Sequence, residues 1–237
     1  VAVAKPEGLL VNMAENDEQT LQDQLRHHLR PSTESDAVPP SAVHRLDRYT
    51  SGAVLFGRTK RGLEGLSELL REGEIDKRYY ALVVGVPEHE AGVVELPLKE
   101  VALGKKRMAL ARNESDNAMD SRSSWRVVET FNREDLPFAF SLLELSPHTG
   151  RKHQLRVHMA EIGLPIAGDT IYGVKGPNRL LREKARLGRH FLHARSLKFV
   201  HPVTHHQIAV EAKMPKDIVS VLKWLRGTGD GLKTKKP

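Results

Sequence analysis

Short apolar runs separated by turn-forming residues are the feature that most limits the folds open to this chain. Runs rich in branched and aromatic residues recur along it, at residues 53–56, 77–86, 138–145, 197–200 and 207–210. Such runs predict strands, and hairpin signals join several neighbouring runs. Amphipathic segments with apolar residues at helical spacing lie between others. The sequence therefore predicts a mixed α+β protein with a largely antiparallel sheet.

Four segments carry the helical pattern. One spans about residues 17–29, and a second is predicted to begin after the N-cap Thr59 and to stop at Gly73. A third follows His153 and ends at Gly163, and the last has Ile218, Val221, Leu222 and Leu225 on its inner face. Residues 174–189 are basic and interrupted by glycine, and they are predicted to form a mobile surface segment.

Charge and composition narrow the functional classes. The 237-residue chain has a formal net charge of +7, which suits a polyanionic partner such as nucleic acid. It has no cysteine, and this excludes disulfides, thiolate catalysis and cysteine-ligated zinc. No apolar run approaches the roughly 18–20 residues that a membrane-spanning helix needs. We therefore expect a cytoplasmic protein with a nucleic-acid partner and no membrane.

A single carboxylate lies within a cationic turn at residues 44–52, with the sequence His-Arg-Leu-Asp-Arg-Tyr-Thr-Ser-Gly. Arg45 and Arg48 flank Asp47, and the predicted buried strand 53–56 follows. Neighbouring cations favour the ionised form of a carboxylate, which can then act as nucleophile or base. A structural turn with an ordinary ion pair would produce the same pattern, so this turn alone leaves both interpretations open.

A second stretch, residues 147–158, is dense in hydrogen-bond donors. It reads Pro-His-Thr-Gly-Arg-Lys-His-Gln-Leu-Arg-Val-His and leads into Gly-Leu-Pro-Ile-Ala-Gly-Asp-Thr-Ile-Tyr-Gly at residues 163–173. The spacing of His44, His153 and His158 fits no common zinc pattern. The chain also lacks a P-loop, a GxGxxG and an HExxH. We expect no metal and no cofactor.

Together these stretches resemble the RluA-type family of RNA pseudouridine synthases. The family signatures are an HRLDxxTSG loop, a TGRxHQ(L/I)RVH segment and a GxPIxGDxxYG turn, and this chain carries all three. Its Lys-Pro-Glu-Gly at residues 5–8 matches the entry motif of the family, and Leu-His-Ala at 192–194 matches a late segment. The matches follow the family order from residue 5 to about residue 202, so they cover nearly the whole chain.

The resemblance implies a bent, mixed central sheet with flanking helices, and a cofactor-free isomerisation of uridine to pseudouridine. It implies that Asp47 is the catalytic aspartate, that Arg156 pairs with it and that Tyr79 stacks on the target base. An arginine fork would fix the orientation of the carboxylate and lower its pKa. With Tyr80 beside it, Tyr79 could instead belong to the sheet core. The resemblance also implies that Leu192 lies beneath the base and that Arg45 enters the RNA stack when the uridine leaves it.

Three functions remain open from the sequence. The first is an RNA pseudouridine synthase, with ribosomal large-subunit RNA favoured over transfer RNA as a family prior. The second is a non-catalytic RNA-binding module of the same fold. The third is a nucleoside hydrolase that uses Asp47 and Asp169, although we expect Asp169 to serve a structural turn. Residues 99–120 and 174–189 are the expected specificity elements.

The predicted strands and helices end near residue 226, and this boundary gives the predicted domain organisation. We expect a catalytic domain at residues 1–226 and a basic, flexible tail at residues 227–237. The chain opens inside a predicted strand, so we expect a truncated N-terminus. In the family an S4-like domain often precedes this point. We expect a monomer.

Overall fold

The apolar run after the cationic turn forms a buried strand, β3 (Ser51–Thr59), in which residues 51–57 are all buried. The computed structural model describes residues 1–12, 18–103, 105–111 and 117–228, apart from the side chains of residues 102–106. The other strands are β1 (Ala2–Lys5), β2 (Ala37–Ala42), β4 (Asp76–Val84), β5 (Ala91–Glu95), β6 (Leu98–Leu103), β7 (Lys105–Leu110), β8 (Arg122–Phe131), β9 (Phe140–Pro147), β10 (Leu192–Val200) and β11 (Gln207–Glu211). The helices are α1 (Leu21–His28), α2 (Lys60–Arg71), α3 (Gln154–Glu161), α4 (Lys175–Ala185) and α5 (Lys216–Leu225).

The chain divides into two units, and the first comprises residues 1–79 and 193–213. Its strand order is β1-β3-β10, with β2 also paired to β3 and β11 to β10. The pairing of β3 with β10 is parallel, whereas β1, β2 and β11 pair antiparallel with their neighbours. Helix α2 covers a cluster that includes Leu55, Leu66 and Phe199. The first unit therefore has a mixed sheet.

The second unit comprises residues 80–192 and 214–237. Its strand order is β4-β9-β8-β5, and β8 pairs antiparallel with both β9 and β5. Strands β6 and β7 form a separate hairpin. Helices α4 and α5 bury Leu181, Ile218 and Leu222 in one cluster with Phe140 and Phe191. The helices of this unit are thus anchored on an antiparallel sheet by apolar packing.

The predicted α+β class with a mixed, largely antiparallel sheet is confirmed. The N-cap Thr59 accepts a hydrogen bond from the N–H of Gly62, as predicted, and the inner face of α5 is buried. Residues 174–189 were expected to be mobile, and this prediction is wrong for their greater part. They contain α4, because Pro177, Leu181 and Ala185 recur at four-residue spacing and are buried.

The domain prediction for residues 1–226 stays a prediction, as does the bend of the sheet. The predicted tail, residues 227–237, lies outside the described residues from residue 229 onward. None of the helices among the described residues is long and apolar enough to cross a membrane.

Candidate active site

The turn that carries Asp47 is fixed through its main chain. The N–H of Thr50 donates to the carbonyl of Asp47 at 3.0 Å, which closes the turn. The ammonium of Lys5, a residue only 2% exposed, donates to the carbonyls of Pro6 (2.8 Å), Leu9 (2.8 Å) and Arg48 (2.9 Å). A buried ammonium requires such partners. Lys5 therefore ties the first motif of the chain to the residue that follows Asp47.

Strand β3, which follows the turn, pairs closely with β10. Gly52 pairs with Ala194 in the parallel register of β3 and β10, and its φ is +126°. The adjacent Ser51 hydroxyl lies 3.0 Å from His193 Nδ1, and His193 Nε2 lies 3.0 Å from the carbonyl of Ala212. Nε2 must donate to that carbonyl, so Nδ1 of a neutral His193 accepts from Ser51. The Thr-Ser-Gly and Leu-His-Ala motifs thus lock together under the Asp47 turn.

Strand β4 places Lys77 and Tyr79 on one face, because residues two apart on a strand point the same way. Both side chains are buried, and Tyr79 is 8% exposed. Burial raises the pKa of the Tyr79 phenol, and the negative charge of Asp47 raises it further. The structure therefore brings Asp47 and Tyr79, two of the predicted site residues, close enough to interact electrostatically. The phenol stays protonated at neutral pH.

His44 is the neutral histidine of this turn. Its Nε2 lies 3.1 Å from the N–H of Leu55 and accepts that hydrogen bond. Burial, together with the nearby charge of Lys77, lowers the pKa of His44 to about 4. The imidazole therefore acts as a structural acceptor at neutral pH and contributes no positive charge beside Asp47.

Arg156, in the second unit, is held by a carboxylate. It lies on α3, is 5% exposed, and donates from Nε to Asp169 Oδ2 (2.6 Å) and from Nη2 to Asp169 Oδ1 (2.9 Å). Asp169 Oδ1 also accepts from the N–H of Ile171 and the N–H of Tyr172. Burial alone would raise the pKa of Asp169, but Arg156 and these two N–H groups outweigh burial and hold that pKa below its usual value.

This arrangement bears on the two-acid alternative. A general acid needs a pKa raised toward the working pH, whereas the pKa of Asp169 is lowered. Its carboxylate serves instead as the centre of a turn, as the sequence predicts. Tyr172 of the same turn places its ring 5.2 Å from the guanidinium carbon of Arg156. The Gly-Asp-Thr-Ile-Tyr-Gly segment therefore orients Arg156.

The start of α3 is organised by Gln154. Its side-chain oxygen accepts from the hydroxyl of Thr149 (2.6 Å) and the N–H of Arg151 (3.0 Å). Its side-chain amide donates to the carbonyl of Arg122 and the hydroxyl of Ser123, both at 2.9 Å. The Thr-Gly-Arg-Lys-His-Gln segment thus fixes the helix that carries Arg156, two residues further on.

The remaining predicted residues differ in exposure. Leu192 is 4% exposed, and its carbonyl accepts from Arg189, which also pairs with Asp217 at 2.7 Å. Arg45 is exposed. Among the described residues, no group of three or more His, Asp or Glu side chains is arranged to hold a metal ion.

Comparison with known proteins supplies the family. A family model described as RNA pseudouridylate synthase matches residues 1–161, more than half of the chain. The chain belongs to the RNA pseudouridylate synthase family. It is 36% identical over 227 residues to tRNA pseudouridine synthase C of Vibrio cholerae, which covers 90% of this chain and 86% of that protein. It is 33% identical to ribosomal large subunit pseudouridine synthase D of Nitrosomonas europaea, over 95% of this chain and 62% of that protein.

A solved structure is also similar to this pseudouridine synthase. Human RNA Pseudouridylate Synthase Domain Containing 4 superposes with a TM-score of 0.73 at 29% identity, covering 95% of this chain and 89% of that one. The predicted family and the predicted enzyme class are therefore confirmed.

The predicted site residues of this pseudouridine synthase belong to two different units of the chain. Asp47, Tyr79 and Arg45 belong to the first unit, whereas Arg156 and Leu192 belong to the second. The pairing of Asp47 with Arg156 and the roles assigned to all five residues stay predictions.

Sequence reasoning missed the residues that support this site. Lys5 and Lys77 lie in the Lys-Pro-Glu-Gly and Lys-Arg-Tyr segments, but a buried lysine cannot be distinguished from an exposed one by its own letter. Tyr172 stands in the Gly-Asp-Thr-Ile-Tyr-Gly segment, but its position in the sequence alone assigns it no role. Its place beside Arg156 depends on a turn that begins 13 residues after that arginine.

Proposed function

We propose that this pseudouridine synthase isomerises specific uridines in structured RNA and that Asp47 is its catalytic aspartate. The observation that carries the assignment is the position of Asp47 in a turn that the Thr50 N–H and the buried Lys5 hold in place, near enough to the buried phenol of Tyr79 to raise its pKa. Asp47 is half-buried in a turn held by Lys5, so its carboxylate has both a fixed backbone and a route to substrate. Carboxylates so placed are typical catalytic groups.

The reaction breaks the bond between N1 and C1′, turns the base and joins C5 to C1′. C5 loses a proton and N1 gains one, so atoms balance without a co-reactant. Asp47 can attack C1′ or remove a sugar proton to give a glycal, and either step needs an ionised carboxylate. Tyr79, which stays neutral, contributes an aromatic face and a hydrogen-bond donor to the base. We assign Arg156 to orient Asp47, Leu192 to the base pocket and Arg45 to the vacated stack.

Two RNA pools are candidate substrates. The relatives are named for transfer RNA and for large-subunit ribosomal RNA, and both lie in the cytoplasm, where we place this protein. The net charge of +7 suits either RNA. We expect the monomer to act on one or a few uridines in one of these pools.

The test is a pseudouridine map of total RNA from cells that lack the protein, complemented with wild type, Asp47→Asn or Asp135→Asn. Asp135 is an exposed aspartate paired with Arg133 and serves as the matched control. We expect wild type and Asp135→Asn to restore the same sites and Asp47→Asn to restore none. The map also tells which RNA is modified.

Two results would overturn the proposal. If no site depended on the protein, the enzyme assignment would fail and a non-catalytic RNA-binding module would replace it. If Asp47→Asn restored the sites fully, the protein would still be a synthase, but Asp47 would not be its catalytic residue.

A further inference from the structure

One aromatic side chain of this protein is exposed. The sequence contains two Trp, four Tyr and six Phe, and all of them lie in the described residues. Tyr49 is 51% exposed, and the other eleven are buried or half-buried. Tyr49 lies two residues after Asp47, within the same turn. Tyr49 therefore presents about half of its surface to solvent in the turn that carries the proposed catalytic residue.

The backbone around Tyr49 is held on both sides. Before it, the carbonyl of Arg48 accepts from Lys5 Nζ at 2.9 Å and from the N–H of Gly8 at 2.9 Å. After it, the N–H of Thr50 closes the turn onto Asp47, and Thr50 is 2% exposed. The ring therefore projects from a fixed turn, and binding to it loses little backbone entropy.

The charges of the turn suit RNA. Arg45 is exposed, and Arg48 forms an ion pair with Glu18 at 2.5 Å. Single-stranded nucleic acid is bound by cationic side chains that follow the backbone and aromatic rings on which bases stack. An exposed cation and an exposed ring in one turn provide both groups.

The spacing of Asp47 and Tyr49 along the chain is compatible with neighbouring nucleotides. The Cα atoms of residues two apart are separated by at most about 7.6 Å. Stacked bases are spaced by about 3.4 Å. When Asp47 lies at the ribose of the target uridine, the backbone of Tyr49 is thus within about two stacked bases of the backbone of Asp47.

We propose that Tyr49 stacks on a base next to the target uridine and thereby helps to select the RNA. This proposal rests on the proposed function. Stacking on a flanking base acts on the bound substrate as a whole, so it lowers KM and leaves kcat unchanged. It also assigns specificity to the turn that holds Asp47, in addition to the expected elements at residues 99–120 and 174–189.

The test compares wild type with Tyr49→Ala, Tyr49→Phe and Val200→Thr. Val200 is a 44% exposed apolar residue of the same unit and serves as the control. The probe is an RNA stem-loop around the uridine that the pseudouridine map identifies, together with versions that are abasic at each flanking nucleotide. Stacking is worth about 1–3 kcal/mol per base, so we expect Tyr49→Ala to raise KM about 5- to 150-fold at unchanged kcat.

The other arms separate stacking from alternatives. Tyr49→Phe keeps the ring and should behave like wild type, as should Val200→Thr. One abasic RNA should raise KM for wild type and give Tyr49→Ala no further loss. If Tyr49→Phe behaves like Tyr49→Ala, the hydroxyl and not the ring binds RNA, and the proposal is overturned.

Failure of this proposal and failure of the proposed function give different results. An active wild type with an equally active Tyr49→Ala overturns only the stacking role. A wild type that forms no pseudouridine in any RNA overturns the function and the stacking role with it.

Discussion

Gly52 lies opposite Ala194 so closely that a Cβ on Gly52 would be 2.2 Å from the carbonyl oxygen of Ala194 and 2.6 Å from its nitrogen. Both atoms belong to the backbone, so neither can rotate away. The φ of +126° at Gly52 is a second reason for glycine. The parallel pairing that supports the Asp47 turn therefore depends on one missing methyl group.

Gly52→Ala is expected to separate β3 from β10 and to destabilise the protein by more than about 3 kcal/mol, or to prevent folding. The matched control is Gly73→Ala. Gly73 also has a positive φ, +77°, but a Cβ there meets nothing within 4 Å. Gly73→Ala should lower the free energy of unfolding by only about 1–2 kcal/mol. Urea unfolding measures both, and equal losses would contradict the close contact.

Lys5→Met should loosen the Asp47 turn. The change removes a buried ammonium and leaves three carbonyls without that donor, so we expect a loss of about 2–4 kcal/mol and a lower kcat. Lys60→Met, which alters an exposed lysine at the start of α2, should change neither. A Lys5→Met protein as stable and active as wild type would show that the turn holds without the ammonium.

His44 makes stability depend on pH. Its pKa is about 4 in the folded protein and about 6.5 when unfolded, so below pH 6.5 the unfolded chain takes up a proton that the folded protein does not. This contribution of His44 to the free energy of unfolding is therefore fully present above pH 6.5. It is lost as pH falls toward 4, by at most about 3 kcal/mol. His44→Gln should remove this part of the loss. Urea unfolding at pH 7 and pH 4.5 measures the free energy of unfolding of wild type and of His44→Gln. An equal loss between the two pH values in both proteins would contradict this prediction.

Arg156 and Asp169 should be energetically coupled. Asp169→Asn removes the charge from a buried fork, and we expect it to destabilise the protein by about 3 kcal/mol and to reduce pseudouridine formation. A double-mutant cycle with Arg156→Met isolates the pair, with an expected coupling energy of about 1–3 kcal/mol. Additive losses would mean that the two side chains stabilise the fold independently.

Local signals predicted much of this fold. Thr59 as an N-cap, the strand pair β10 and β11, and the inner face of α5 follow from spacing and turn chemistry within about ten residues. Helix α4 was missed because exposed basic side chains and Gly176 obscured its buried positions at Pro177, Leu181 and Ala185.

The motifs located the candidate site but not its contacts. The resemblance names Asp47 and Tyr79, but the approach of Asp47 that raises the pKa of the Tyr79 phenol depends on the fold, since 32 residues separate the two. The fork of Arg156 and Asp169 likewise joins a helix to a later turn. Short-range patterns cannot predict such pairs, because the angle between elements decides which side chains meet.

The hydrogen bond from the Lys5 ammonium to the carbonyl of Arg48 has an evolutionary consequence. Every residue type has a backbone carbonyl, so this hydrogen bond does not depend on which side chains follow Asp47. Positions 48 and 49 can therefore change identity while the carboxylate stays in place. One short turn can in this way keep its chemistry constant and still acquire a different RNA partner.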